Sequence, residues 1–141
     1  MGNPNSFYSG WTPRLLSVLR IVVGFLLIAH GAQKLFGFLA PPGTPTAALG
    51  TLMWVAGVLE FFGGLLVLLG LFTRPVAFIL SGMMAVAYFM SHAPGGFWPL
   101  QNKGELAVLY CFVFLFLATA GGGEWALDRL MGRGRATYAE R

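Results

Sequence analysis

Residues 47–71 read AALGTLMWVAGVLEFFGGLLVLLGL, and this stretch decides the fold. A helix needs about 20 apolar residues, at roughly 1.5 Å of rise each, to cross the hydrocarbon of a bilayer. The stretch is long enough and carries one ionisable side chain, Glu60. A carboxyl group at that depth costs about 3 kcal/mol or more unless it is satisfied, so it marks a candidate functional position. At helical spacing Met53, Gly57, Glu60, Gly64 and Val67 share one face. Glycines mark where helix backbones approach one another in a membrane, so Glu60 is expected to face other helices and not lipid.

The rest of the chain has the same pattern. Of 141 residues, 57% are hydrophobic and 10% charged, too apolar for a soluble domain of this length. Three further spans are expected at residues 15–39, 75–91 and 106–123. The first holds Arg20, His30 and Lys34; the last two are short and carry no charge apart from their flanks. No cleavable leader is expected, because the first span contains three ionisable residues and no small-residue cleavage pattern comes after it. Turns fall at residues 40–46, at Thr73-Arg74-Pro75, in the aromatic loop 92–103, and at Gly121–Gly123. The reading is all-α: a single domain, residues 1–141, forming an antiparallel transmembrane bundle of four helices.

The net charge of +4 is read as topology. Arg14, Arg20, Arg74, Arg129, Arg133, Arg135 and Arg141 fall at one end, and only Lys34 and Lys103 at the other. The positive-inside rule then places both termini in the cytoplasm, with a basic tail at 129–141. That tail is short and lacks an aromatic platform, so no nucleic-acid partner is expected. The single cysteine, Cys111, excludes an intramolecular disulfide and a dithiol site, and reads as a small apolar residue. No Glu-x-x-His pair, dinucleotide fingerprint or phosphate loop is present, and His30 and His92 fall at different depths, so neither metal nor haem is expected.

Three spans each present a polar stripe. Arg20, Gly24, Leu27, Gly31 and Lys34 share a face in the first, with His30 on its flank; Ser81, Ala85, Tyr88 and His92 align in the third. Antiparallel packing brings His30, Gln33 and Lys34 into the same outer half as His92 and Glu105, with Glu60 nearer the midplane. The expected chain of groups is Glu105–Lys34–His30–Glu60. Histidine titrates near neutral pH and a desolvated Glu can be driven there, so such a set suits proton relay or hydrogen bonding to a quinone head group. Glu60 and His30 are the candidates for proton chemistry. Lys34, Gln33, His92 and Glu105 are the candidates for holding a cofactor. Arg20 and Arg74 are expected to form a separate, wholly basic end on the cytoplasmic side; the plainer alternatives are that Glu60 pairs with Arg20 or Lys34 or stays protonated on a backbone carbonyl, and that Arg20 snorkels to the interface.

The ordered motifs resemble the DoxX family of small bacterial inner-membrane proteins. They are Arg20 with His30-Gly31-Ala32-Gln33-Lys34-Leu35-Phe36-Gly37, and Gly57-x-x-Glu60-x-x-Gly63-Gly64-Leu65 running into Gly70-Leu71-Phe72-Thr73-Arg74-Pro75. His92, Asn102-Lys103-Gly104-Glu105-Leu106 and Gly122-Gly123-x-Trp125-x-Leu127-Asp128 complete the set. Lys103 departs from the resemblance, standing where the family pattern has glycine. The resemblance implies four helices in the inner membrane and an oxidoreductase label taken from relatives of a thiosulfate:quinone oxidoreductase subunit. It also implies sulfur-handling or superoxide-removing partners. With no dithiol or cofactor motif, redox work here requires a quinone or a redox partner protein to carry the electrons. Two other functions fit the sequence: a membrane anchor or scaffold for such a partner, and a small proton-coupled cation transporter, which would need a homo-oligomer.

Overall fold

The computed structural model describes residues 5–132, so most of the expected basic tail lies outside the described residues. Among them every regular element is helical: α1 (Asn5–Phe36), α2 (Leu52–Leu69), α3 (Thr73–Ala87), α4 (Pro99–Asn102), α5 (Glu105–Ala120) and α6 (Leu127–Leu130). Three stretches are long and apolar enough to cross a membrane: Ser9–Phe36, Leu52–Leu69 and Thr73–Gly95. The apolar α5 is shorter. Helix α1 lies along α2, α3 along α5, and α2 touches α3. Leu27, Val67, Leu80, Phe114 and Leu117 close the interior, while Phe25, Phe78, Phe89 and Phe112 point outward.

Local chemistry sets the boundaries and moves several of them from the sequence reading. α1 begins ten residues earlier than residue 15 and contains Pro13. The Pro13 carbonyl accepts both the Ser17 hydroxyl (2.9 Å) and the Glu124 amide (3.1 Å), which holds the added turns. α2 starts at Leu52 and not at 47, because Thr51 caps it by accepting from the Trp54 amide at 3.2 Å. It ends at Gly70 in a left-handed conformation (φ 72°), the geometry glycine adopts without a steric penalty. α3 runs on through a π turn, Tyr88–His92, and a short 3₁₀ turn, Ala93–Gly95.

The α1–α2 contact is backbone on backbone. A Cβ at Gly24 would stand 2.7 Å from the Leu68 amide nitrogen, and one at Gly31 would stand 2.8 Å from the Gly57 carbonyl oxygen. The glycine stripes therefore set an approach that no larger side chain permits.

Arg20 departs from the snorkelling expectation. It is 1% exposed, and its guanidinium is satisfied by main-chain carbonyls from two other parts of the chain. Nη1 donates to Val67 (2.6 Å) and Leu68, at the C-terminal end of α2, where carbonyls lack helical partners and the helix dipole is negative. Nε donates to Gly122 (2.8 Å) and Nη2 to Trp125 (3.2 Å), in the loop after α5. Nor is this end wholly basic. Asp128 accepts the Phe72 and Thr73 amides at 2.8 Å each, capping α3, and Glu124 pairs with Arg14 at 3.1 Å.

These contacts carry two expected outcomes. Arg20→Leu should strand the Leu68, Gly122 and Trp125 carbonyls, Val67 keeping the Gly70 amide, and lower stability by at least about 3 kcal/mol, since each bond to a charged group is worth roughly 1.5–3. Thermal unfolding in detergent checks this, and Arg20→Lys should recover only part, having no planar fork. Lys103 sits at φ 60°, a left-handed position that disfavours any side chain. Lys103→Gly should therefore raise stability by about 1 kcal/mol in the same assay.

Candidate functional site

Lys34 comes from the last turn of α1, and Glu60 lies on the inward face of α2. The Lys34 ammonium donates to both carboxylate oxygens of Glu60, at 2.5 Å to Oε2. The two side chains are unequal in burial, 7% exposed for Glu60 and 27% for Lys34. Close packing delivers this pair: the Lys34 Cβ lies against Gly57, one turn before Glu60 on the same face of α2. Of the partners considered for Glu60, the structure gives Lys34. Arg20 is committed to carbonyls at the other end. An ammonium bound to both oxygens offsets the cost of a carboxylate at depth, so Glu60 is not a lone mid-span charge, which was the basis of the transporter reading.

His30 is half-buried beside this pair, its ring set edge-on to Tyr110 of α5 with centroids 6.2 Å apart. Among the described residues neither imidazole nitrogen has a hydrogen bond. Tyr110 is itself buried and stacks on Phe114. It was not among the sequence candidates, although it is a single tyrosine in an otherwise apolar span and that was signal enough to find it.

The other three candidates are not drawn into this cluster. The Gln33 amide donates to the Leu39 carbonyl at 3.4 Å, a weak local contact. His92 turns into the loop, where Nδ1 meets the Asn102 carbonyl at 3.1 Å and the ring stacks on Tyr88. Glu105 is exposed in the first turn of α5 and makes no ion pair with Lys34, so the expected four-member chain is broken at its outer end. The π turn explains the His92 position, since it adds a residue to the last turn of α3 and rotates the residues beyond it. Asn102 knits this loop, donating to Gly96 (2.6 Å) and accepting from Gly104 (2.8 Å). Tyr88 donates to the Phe97 carbonyl and Ser81 to that of Cys111 (2.8 Å), so the polar stripe of α3 is spent on packing.

No group of three or more metal-ligating side chains is present among the described residues. Of the six candidates only His30, with no hydrogen bond on either ring nitrogen, is left to meet a quinone carbonyl, since Gln33 is turned to Leu39. Two grooves lie at the Arg20 end, and none of the six candidate residues lines either of them.

The DoxX family profile matches residues 15–93, which contain Arg20, His30, Lys34 and Glu60. The chain belongs to the DoxX family. An uncharacterised protein of Haemophilus influenzae is 45% identical over 122 residues, covering 84% of this chain and 91% of that protein. The Escherichia coli inner membrane protein YphA is 30% identical over 133 residues, covering 83% of this chain and 90% of its own length. The inner membrane protein YqjF of the same organism is 30% identical over 124 residues, covering 82% and 91%. No solved structure matches. With three helices of spanning length, this DoxX chain is likewise a multi-pass protein of the bacterial inner membrane.

Removing one partner of a buried pair leaves the other charge stranded. Lys34→Met should destabilise the protein by about 2 kcal/mol, a value discounted for the partial exposure of Lys34. Adding Glu60→Leu should restore most of that loss. A double-mutant cycle by chemical denaturation in detergent measures both, and additive losses would mean that the pair is not coupled.

Proposed function

We propose that this chain is a four-span redox-accessory subunit with both termini in the cytoplasm. In this reading the Lys34–Glu60 pair and His30 handle a proton in the outer half of the membrane. The observation that carries it is a carboxylate buried within the membrane-spanning region and held by an ammonium, beside an imidazole with no hydrogen bond on either nitrogen among the described residues. Ionisable groups at that depth are costly and tend to mark proton or ligand pathways. The distribution of arginines supports the orientation, because Arg14, Arg20, Arg74 and Arg129 gather at one end and Lys34 lies at the other.

Within this reading His30 donates to a carbonyl oxygen of the bound group. Lys34 keeps Glu60 oriented while a proton passes. A quinone, when bound, supplies the electron-accepting chemistry that the protein's own side chains lack. In the same reading a redox partner protein delivers the electrons.

Protein purified in mild detergent and extracted with solvent should yield quinone, and His30→Ala should lower the retained amount about tenfold, the value of one good hydrogen bond. Lys103→Gly, far from the imidazole in sequence and expected to fold well, serves as the control. Native protein free of quinone, or full retention by His30→Ala, would reject the reading.

A further inference from the structure

At the Arg20 end, a groove of about 1110 Å³ opens between the start of α1, the start of α3 and the loop after α5. Arg74 and Arg129 line it. Both are exposed, and neither has a hydrogen bond or ion pair among the described residues. The other charges at this end are committed. Arg20 is spent on four carbonyls, Arg14 on Glu124, and the Asp128 carboxylate, which also lines the groove, on two amides of α3. The groove therefore offers two unengaged guanidiniums.

A second groove, about 480 Å³, continues from the first along α1 and α5. The two share Thr12, Leu16 and Ala120, and the second adds Leu15, Leu19 and Phe116. It is almost wholly apolar and runs inward along the spans from the charged end. One ligand chemistry matches a cationic mouth joined to a hydrocarbon channel: an anionic head on an alkyl chain.

We propose that an anionic phospholipid occupies this continuous groove, its phosphate between Arg74 and Arg129 and one acyl chain against Leu15, Leu19 and Phe116. Charge complementarity selects the anionic lipid over a neutral one. The placement rests on this end lying at the headgroup level, and it is independent of the Lys34–Glu60 pair at the opposite end. Quinone has no anionic head and gains nothing from two guanidiniums.

The test uses the full chain in a neutral detergent, titrated separately with phosphatidylglycerol, phosphatidylcholine of the same acyl chains, and inorganic phosphate. Native mass spectrometry reads retention and thermal unfolding reads stabilisation. Phosphatidylglycerol should bind at least about tenfold more tightly than phosphatidylcholine. Arg74→Gln with Arg129→Gln should lower phosphatidylglycerol affinity about 30-fold and leave phosphatidylcholine unchanged. Arg129→Gln alone, a change at an exposed position that the fold tolerates, should cost about fivefold. Leu15→Trp, which intrudes on the acyl channel from an exposed position, should weaken both lipids. Equal binding of the two lipids, or unaltered phosphatidylglycerol binding by the arginine variants, would overturn the proposal. Stabilisation by inorganic phosphate equal to that by the lipid would also overturn it, by identifying a simple anion pocket.

Discussion

A guanidinium sealed inside the protein fixes one end of this molecule. Arg20 reaches from α1 to the last carbonyls of α2 and to the loop after α5, and thereby ties together three regions far apart in sequence. The geometry works because each partner supplies what the other lacks. The end of a helix leaves carbonyls without amides, and arginine carries several donors and no acceptor. Asp128 performs the converse task a few residues on, accepting the amides at the start of α3. The two ionised side chains cancel the exposed dipoles of a C-terminus and an N-terminus that meet at the Gly70 turn.

At the opposite end the logic differs. Lys34 and Glu60 neutralise each other directly, and the close glycine contact between α1 and α2 holds them in register. One charged end is thus built of main chain and the other of side chains. Only the second leaves an unengaged imidazole at its edge, the feature on which the proposal of proton chemistry rests.

Much of this was legible in the residues. The apolar runs gave the helical class, and period-3.6 spacing placed Arg20, Gly24, Gly31 and Lys34 on the face that meets α2. Gly121 marked the end of α5 correctly, a position whose positive φ favours glycine, whereas the second span was read through Leu71 and stops earlier, at the left-handed Gly70. What spacing could not supply was the fate of individual hydrogen bonds. Arg20 read as an interfacial residue because its acceptors are carbonyls, which every residue possesses and no sequence pattern distinguishes. His92 read as aligned with the polar stripe of α3 because the added residue of the π turn is invisible to a uniform helical count. Tyr110 was overlooked for being aromatic in an aromatic chain. Met53, placed on the buried face of α2, is 53% exposed because it lies in the first turn, beyond the reach of α1.

The Arg20 clasp also has a temporal side. Half of its acceptors, at Gly122 and Trp125, are made 102 and 105 residues after the arginine that uses them. During synthesis the nascent first helix enters the bilayer with a cation whose full set of acceptors does not yet exist. The clasp can therefore close only once the loop after α5 has been made, 102 residues beyond the arginine itself.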